Sequence, residues 1–322
     1  MINKILFFTL SNFGDVILTL PVLDVLRENY PDAKITVIVG PRALEIFKDN
    51  PHIHNLIVYD KYARLREKTR LFFDLAKQGF DLVVDLRNTL FGALLPAQFR
   101  TSPFLSMPKG LRHIKERNLY RLIKALGKNR VLPEPKKRLL YLQDKDENYI
   151  SLLLKKNRIS ESDNIIIVAP AAGGKTRRWG KEKFIQLCDK LAEDYSVILI
   201  GRKEDKMLTR NIQAGSGGKV MDFAGMTNLA QLSCLLKKAR LVVVSDTGIL
   251  HLASYLDVGV VGIFGPSDEE KYGPWSKKSR MVSASIPCRP CRQPECRFKT
   301  IECMQKISVG EVLYSIDDLL KS

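Results

Sequence analysis

Residues 241–266 read LVVVSDTGILHLASYLDVGVVGIFGP, and the fold follows from them. The apolar run 241–244 shows no alternation, so it reads as a strand buried on both faces, which parallel sheets require. A small polar turn follows, Ser245, Asp246, Thr247 and Gly248, and then apolar residues at helical spacing: Ile249, Leu250, Leu252, Ala253 and Leu256. A second apolar run, 258–264, ends in Gly265-Pro266, which completes a βαβ unit. The turn opens the helix, so its backbone N–H groups lack partners and sit at the positive end of the helix dipole. Such a turn seats a phosphate or diphosphate. Asp246 and Thr247 as plain N-caps, with Gly248 as a turn residue, is the simpler alternative. His251 lies four residues after Thr247, one helical turn along the same face.

The same architecture recurs at the start of the chain. A strand over 5–10 leads to the turn Ser11-Asn12-Phe13-Gly14-Asp15, a helix over 16–29 and a strand over 35–39. Asp15 therefore stands at the carboxyl end of the first strand, where open α/β sheets bind ligands. Its carboxylate suits either a helix cap or a general base toward a hydroxyl. A helix over 43–48, a strand over 52–59 and a basic segment at 61–70 come next. A strand over 80–88 then brings Asp85, Arg87 and Asn88 to the same edge as Asp15. In the second half, strands over 164–169, 197–200 and 220–223 alternate with helices over 181–193 and 229–238 before the 241–266 unit. The expected fold is α/β, two Rossmann-like doubly wound parallel-sheet domains facing across a cleft. Their expected extents are 1–156 and 157–322, with the last helix packing back on the first domain.

One motif misleads. Ala169, Gly174, Lys175 and Thr176 satisfy a relaxed phosphate-loop pattern, but Arg177-Arg178-Trp179-Gly180 follows where the helix of a true P-loop begins. The first glycine is also missing.

With 322 residues, 45% hydrophobic and 27% charged, the chain has the composition of a soluble globular protein of two domains. Its start fits a first strand better than a cleaved signal peptide, so a cytoplasmic location is expected. The net charge is +17. From Lys109 to Arg138, eleven Lys or Arg face only Glu116 and Glu134. That field attracts phosphate groups on nucleic acid, lipid or sugar, unless it is simply a solvated face. Cys188 and Cys234 fall in helical patterns and read as packed thiols. Cys288, Cys291, Cys296 and Cys303 are clustered among prolines and arginines. Structural zinc, an iron–sulfur cluster, two disulfides and free thiols all stay open for them.

Taken in order, Gly14-Asp15 with Leu20-Pro21, a basic residue before Trp179, Asp246-Thr247-Gly248 with His251 and Ala253, and Phe264-Gly265-Pro266 make a pattern. It resembles the bacterial lipopolysaccharide heptosyltransferases of glycosyltransferase family 9, as does the segment closed by Cys303-Met304. The resemblance implies a GT-B fold and an inverting transfer that needs no metal cofactor. The implied donor is a nucleotide sugar, ADP-heptose, and the implied acceptor is the anionic lipopolysaccharide inner core. It further implies that the protein is cytoplasmic and peripheral on the inner face of the inner membrane. Carried onto this chain, Asp15 is the base, while Thr247 and Gly248 hold the donor diphosphate. Arg177, Trp179, Asp246 and His251 contact or support the donor. Gly14 admits the acceptor, with Arg64, Arg66 and Arg87 as further acceptor-side candidates by position. Members of the family it resembles often carry Lys where Arg177 stands and Pro where Gly180 stands, and Arg can serve a diphosphate bidentately but is not a neutral exchange for Lys.

Two rivals remain. A nucleotide-sugar epimerase on a similar scaffold would leave the basic stretch without a role. A nucleic-acid-binding protein would explain the charge, but the basic stretch lacks interleaved aromatics beyond Tyr120 and no recognised binding motif occurs. No nucleic-acid partner is expected.

Overall fold

A computed structural model of the chain describes residues 2–127, 138–160, 164–291 and 293–321. Residues 128–137 of the basic stretch, with the proline-marked break at 131–135, lie outside the described residues. The chain divides into two compact units, Met1–Tyr141 and Leu142–Ser322.

The first unit contains β1 (Lys4–Phe8), α1 (Phe13–Ile17), α2 (Leu20–Asn29), β2 (Lys34–Val39), β3 (Asn55–Val58), α3 (Leu65–Ala76), β4 (Leu82–Asp85), α4 (Leu90–Leu94), β5 (Phe99–Arg100) and α5 (Ile114–Ala125). Its sheet is wholly parallel in the order β3-β2-β1-β4-β5. Residues 5–8 and 35–39 are buried without alternation, as a sheet covered on both faces demands. Strand order reverses between β1 and β4, and their last residues, Phe8 and Asp85, are level partners. The loops after these two strands therefore leave a crevice at the topological switch point. The helix expected over 16–29 is broken at Leu18–Thr19, because Pro21 has no N–H and cannot extend a preceding turn. The helix expected over 43–48 is a 3₁₀ turn, Pro41–Ile46.

The second unit contains α6 (Asp144–Lys156), β6 (Ile165–Ala169), α7 (Lys181–Leu191), β7 (Ser196–Leu199), α8 (Lys206–Gly215), β8 (Met221–Asp222), α9 (Leu229–Lys238), β9 (Leu241–Ser245), α10 (Gly248–Tyr255), β10 (Val260–Phe264), α11 (Glu269–Tyr272), β11 (Ser279–Ser283), α12 (Glu302–Gln305) and α13 (Val309–Lys321). Its sheet is also parallel, in the order β11-β10-β9-β6-β7-β8, with the switch point between β6 and β9. Two boundaries differ from the sequence reading. Helix α6, expected to close the first domain, belongs to the second unit, where it packs on α9 and Tyr149 donates to the Met226 carbonyl at 2.7 Å. Helix α13, expected on the first domain, buries Val312, Ile316 and Leu319 in the second unit's own core.

Close approach matters where β2 ends. Gly40 N–H donates to the Leu10 carbonyl at 3.2 Å, and a Cβ on Gly40 would fall 2.5 Å from Ser11 Cβ and 2.7 Å from its Cα. Ser11 begins the turn that carries Asp15. Gly40→Ala should therefore cost about 1–3 kcal/mol of stability through overpacking, read as a lowered urea midpoint.

Candidate active site

In the second unit the 241–266 stretch forms the β9–α10–β10 unit expected of it. Thr247 is the N-cap of α10, extended at φ −146° and ψ 172°, and its side chain makes no capping hydrogen bond. Thr247 Oγ1 is buried without a hydrogen-bond partner among the described residues, as is Ser245 Oγ on the preceding strand. A buried hydroxyl left unbonded costs about 1–3 kcal/mol, which an arriving acceptor oxygen would recover. Gly248 is half-buried at the first position of the helix. Asp246 is 7% exposed. Its carboxylate accepts from Arg177 Nη1 at 3.4 Å and from the Ser267 hydroxyl, and Arg177 Nη1 also donates to the Asp246 carbonyl at 3.1 Å. Arg177 follows β6 and Asp246 follows β9, so the pair spans the switch point.

Two other expected residues sit deeper. His251 is buried on α10 and stacks on Trp275, with ring centroids 5.8 Å apart. Trp179, expected at the donor, is 3% exposed and packs edge-on against Phe184 at 5.0 Å. Its indole N–H donates to the Ile307 carbonyl at 3.0 Å, and Lys183 Nζ donates to the same carbonyl at 2.6 Å.

In the first unit, Gly14 and Asp15 lie in the first turn of α1, both half-buried. Asp15 does not cap the helix; its Oδ2 accepts from Asn12 Nδ2 at 3.0 Å. Across the switch point, Asp85 is a buried carboxylate that accepts from Arg87 N at 2.9 Å, Thr89 N at 3.0 Å and Thr89 Oγ1 at 2.5 Å. Burial pushes its carboxyl above the ordinary range, against the pull of these donors. Arg87 lies over the rings of Phe8 and Tyr59, 5.4 and 5.1 Å from their centroids. Its Nη1 is buried and unbonded among the described residues. Asn88, in the left-handed region at φ 57°, accepts from Arg121. Burial, and then the charge of Arg117, oppose the Arg121 cation. Arg64 and Arg66 are exposed at the start of α3.

The cysteines need a further correction. All six are free thiols, and among the described residues no three His, Cys, Asp or Glu are grouped to hold a metal ion. The expected zinc, iron–sulfur cluster or disulfides thus find no support in the arrangement. Cys288, Cys291, Cys296 and Cys303 line a cavity of about 760 Å³. Backbone amides of Ile301 and then Phe298 hydrogen-bond to Cys296 and hold its thiol below the usual range, whereas burial raises Cys303. Cys188 and Cys234 are packed thiols, pushed up to about 12 and about 11 chiefly by burial.

Sequence reasoning missed Ser267, Trp275 and Arg121. Ser267 follows Gly265-Pro266 directly, so continuing past β10 to the next polar turn would have found it; Trp275 and Arg121 meet their partners only in the fold.

Two doubly wound parallel-sheet domains, matched over nearly their whole length by solved heptosyltransferases, have the GT-B fold. The chain belongs to glycosyltransferase family 9 (heptosyltransferase), whose model matches residues 68–302. It is 25% identical to lipopolysaccharide heptosyltransferase 3 of Escherichia coli over 344 residues, covering 96% of this chain and 97% of that one. A solved family 9 glycosyltransferase from Veillonella parvula is similar at a TM-score of 0.79 and 20% identity, over 99% of this chain and 97% of the other. The solved E. coli ADP-heptose lps heptosyltransferase II is similar at a TM-score of 0.74 and 21% identity, over 99% and 98%.

If Trp179 is a core residue, Trp179→Phe keeps the packed ring and loses only the bond to Ile307. It should cost about 1 kcal/mol in chemical denaturation and leave pyrophosphate affinity, measured by calorimetry, unchanged.

Proposed function

We propose that the chain transfers heptose from ADP-heptose onto an anionic lipopolysaccharide inner core, with inversion and without a metal cofactor, at the cytoplasmic membrane face. The observation that carries this is the buried, unbonded Thr247 hydroxyl at the N-terminus of α10, beside the Arg177–Asp246 pair. The names of the relatives, heptosyltransferases of lipopolysaccharide, support the same reading.

In this mechanism the donor diphosphate rests on the Thr247 hydroxyl and the backbone N–H of Gly248, within the positive end of the helix. Arg177 adds a fixed cation beside it, and Asp246, itself neutralised by Arg177, holds the turn in shape. His251 supports the seat from beneath through its stack on Trp275. Asp15 takes the proton of the acceptor hydroxyl as the hydroxyl oxygen bonds to the anomeric carbon. The bond from that carbon to the diphosphate oxygen breaks, and ADP leaves with the charge that the helix and Arg177 are set to receive. Attack opposite the departing group inverts the centre in one step. Gly14 leaves room for the acceptor at the base. Arg87, pre-set over two rings with a free Nη1, binds an acceptor carboxylate or phosphate, and Arg64 and Arg66 extend that field.

Calorimetry with ADP, UDP and GDP, followed by transfer assays, tests the reading. Asp15→Asn should lower kcat by about 100-fold or more while ADP affinity holds. Thr247→Val should weaken ADP binding by about tenfold. Arg87→Met should raise KM for the acceptor and leave ADP binding alone. Ordinary turnover by Asp15→Asn would remove the base from the mechanism, and a preference for UDP or GDP would replace the donor.

A further inference from the structure

Helix α3 buries one side and exposes the other among the described residues. Leu75 is buried, and Leu71, Phe72 and Ala76 pack with it against Leu6, Phe8, Ile38 and Val83. At 3.6 residues per turn, Phe73, Arg66, Arg70 and Asp74 stand on the outward arc, while Leu65 is exposed in the first turn, ahead of the part of the helix that packs on the core. Tyr62 and Leu65 are both 81% exposed and Phe73 is 57% exposed. Between Lys61 and Arg70 there are five basic residues against one acid, Glu67, which is turned to the Arg64 N–H at 3.1 Å. Asp74, the acid on the outward arc, faces Arg70 at 3.8 Å. Leu95 and Ala97 join the apolar cluster that α3 covers, so the end of α4 lies on the same face of the sheet, and its Leu94 is also exposed. Because α3 follows β3 in a parallel sheet, Tyr62 and Leu65 lie at the carboxyl edge, the edge that bears Asp15 and Arg87.

Apolar side chains exposed among cations are the signature of an interfacial helix on an anionic bilayer. Charge complementarity selects the occupant: basic segments at such a surface each gain from phosphate headgroups within a Debye length. Among the described residues no helix is long and apolar enough to cross a membrane. We propose that Tyr62, Leu65 and Phe73, framed by Lys61 and Arg70, form the surface by which the first unit docks on anionic phospholipid. The proposal rests on the reading that the acceptor is lipid-anchored, and it sets the docked face at the acceptor end of the sheet.

Sedimentation of the full chain with phosphatidylcholine vesicles, with and without phosphatidylglycerol, tests it. The wild type should bind the phosphatidylglycerol vesicles and release them near 1 M salt, where the screening length falls to about 3 Å. Tyr62→Ser with Leu65→Gln should weaken that binding by about tenfold. Met207→Gln, an equally isolated exposed apolar residue of the second unit, should leave it unchanged. The Tyr62/Leu65 variant should keep ADP affinity and transfer to a soluble, deacylated acceptor, yet lose transfer to the vesicle-embedded one. Binding that requires lipopolysaccharide in the vesicle would overturn the phospholipid surface and leave the proposed reaction standing. An equal loss with Met207→Gln would overturn its location. Vesicle binding as expected, with no transfer to any acceptor, would sink the proposed reaction instead.

Discussion

The second unit turns on one ion pair. Asp246 is a nearly buried carboxylate, and an unpaired charge there would cost several kcal/mol, so the fold must supply a cation from a neighbouring loop. Arg177 does so by reaching across the β6/β9 switch point, and one Nη1 serves both the carboxylate and the carbonyl of Asp246. To reach it, the loop after β6 folds into the 3₁₀ turn Lys175–Arg177 instead of opening a helix. That is why the glycine-rich segment before it does not become a P-loop despite its pattern. The helix that does follow, α7, is preceded by Gly180 as its N-cap at φ 110°, a conformation closed to proline, whose φ is fixed near −65°. Arg177 and Gly180 thus belong to one local solution: a long, forked cation and a backbone that turns sharply after it.

The first unit solves an equivalent problem with different partners. Asp85 is buried at the end of β4, and three donors from its own loop hold it in place of an arginine. Its backbone N–H and carbonyl are taken by the Thr101 hydroxyl, which ties the loop to the strand beyond. A Cβ on Gly92 would fall 2.4 Å from Asp85 Cβ, so the loop closes tightly on the carboxylate. With Asp85 satisfied locally, the Arg87 guanidinium is not spent on it and lies over Phe8 and Tyr59. In the second unit the arginine neutralises the carboxylate that shapes the seat; in the first it is left for something else.

Much of this was legible because parallel strands declare themselves. Continuous apolar runs such as 165–169 and 241–244 have no other use at that length, and the small polar turns after them mark the carboxyl edge. Asp15, Arg87, Thr247 and Asp246 were reachable from that alone. Strand β11 was not, since only Val282 of its five residues is buried; an edge strand has no apolar run to show. The burial of Trp179 was not legible, because the carbonyl of Ile307 that its indole meets lies far along the chain. The division before α6 was equally hidden: its amphipathic pattern names a buried face but not whether that face meets α9 or a helix of the first unit.

The cysteine-bearing segment makes the same point about distance in sequence. Its thiols drew attention, yet its firmest links to the site are made by other residues. Arg289 donates to the Gly265 carbonyl at 2.5 Å and pairs with Glu269 at 3.2 Å, which fixes the turn after β10 from both sides. Ser267, inside that turn, bonds the Asp246 carboxylate. Below it, Met304 packs so closely that a Cβ on Gly265 would meet its sulfur at 2.5 Å, while Lys183 holds the carbonyls of Met304, Gln305 and Ile307. Two hydrogen-bonded steps thus lead from Arg289 to Asp246. The segment buttresses the ion pair through its arginine and its close packing, a role that asks nothing of the four sulfurs.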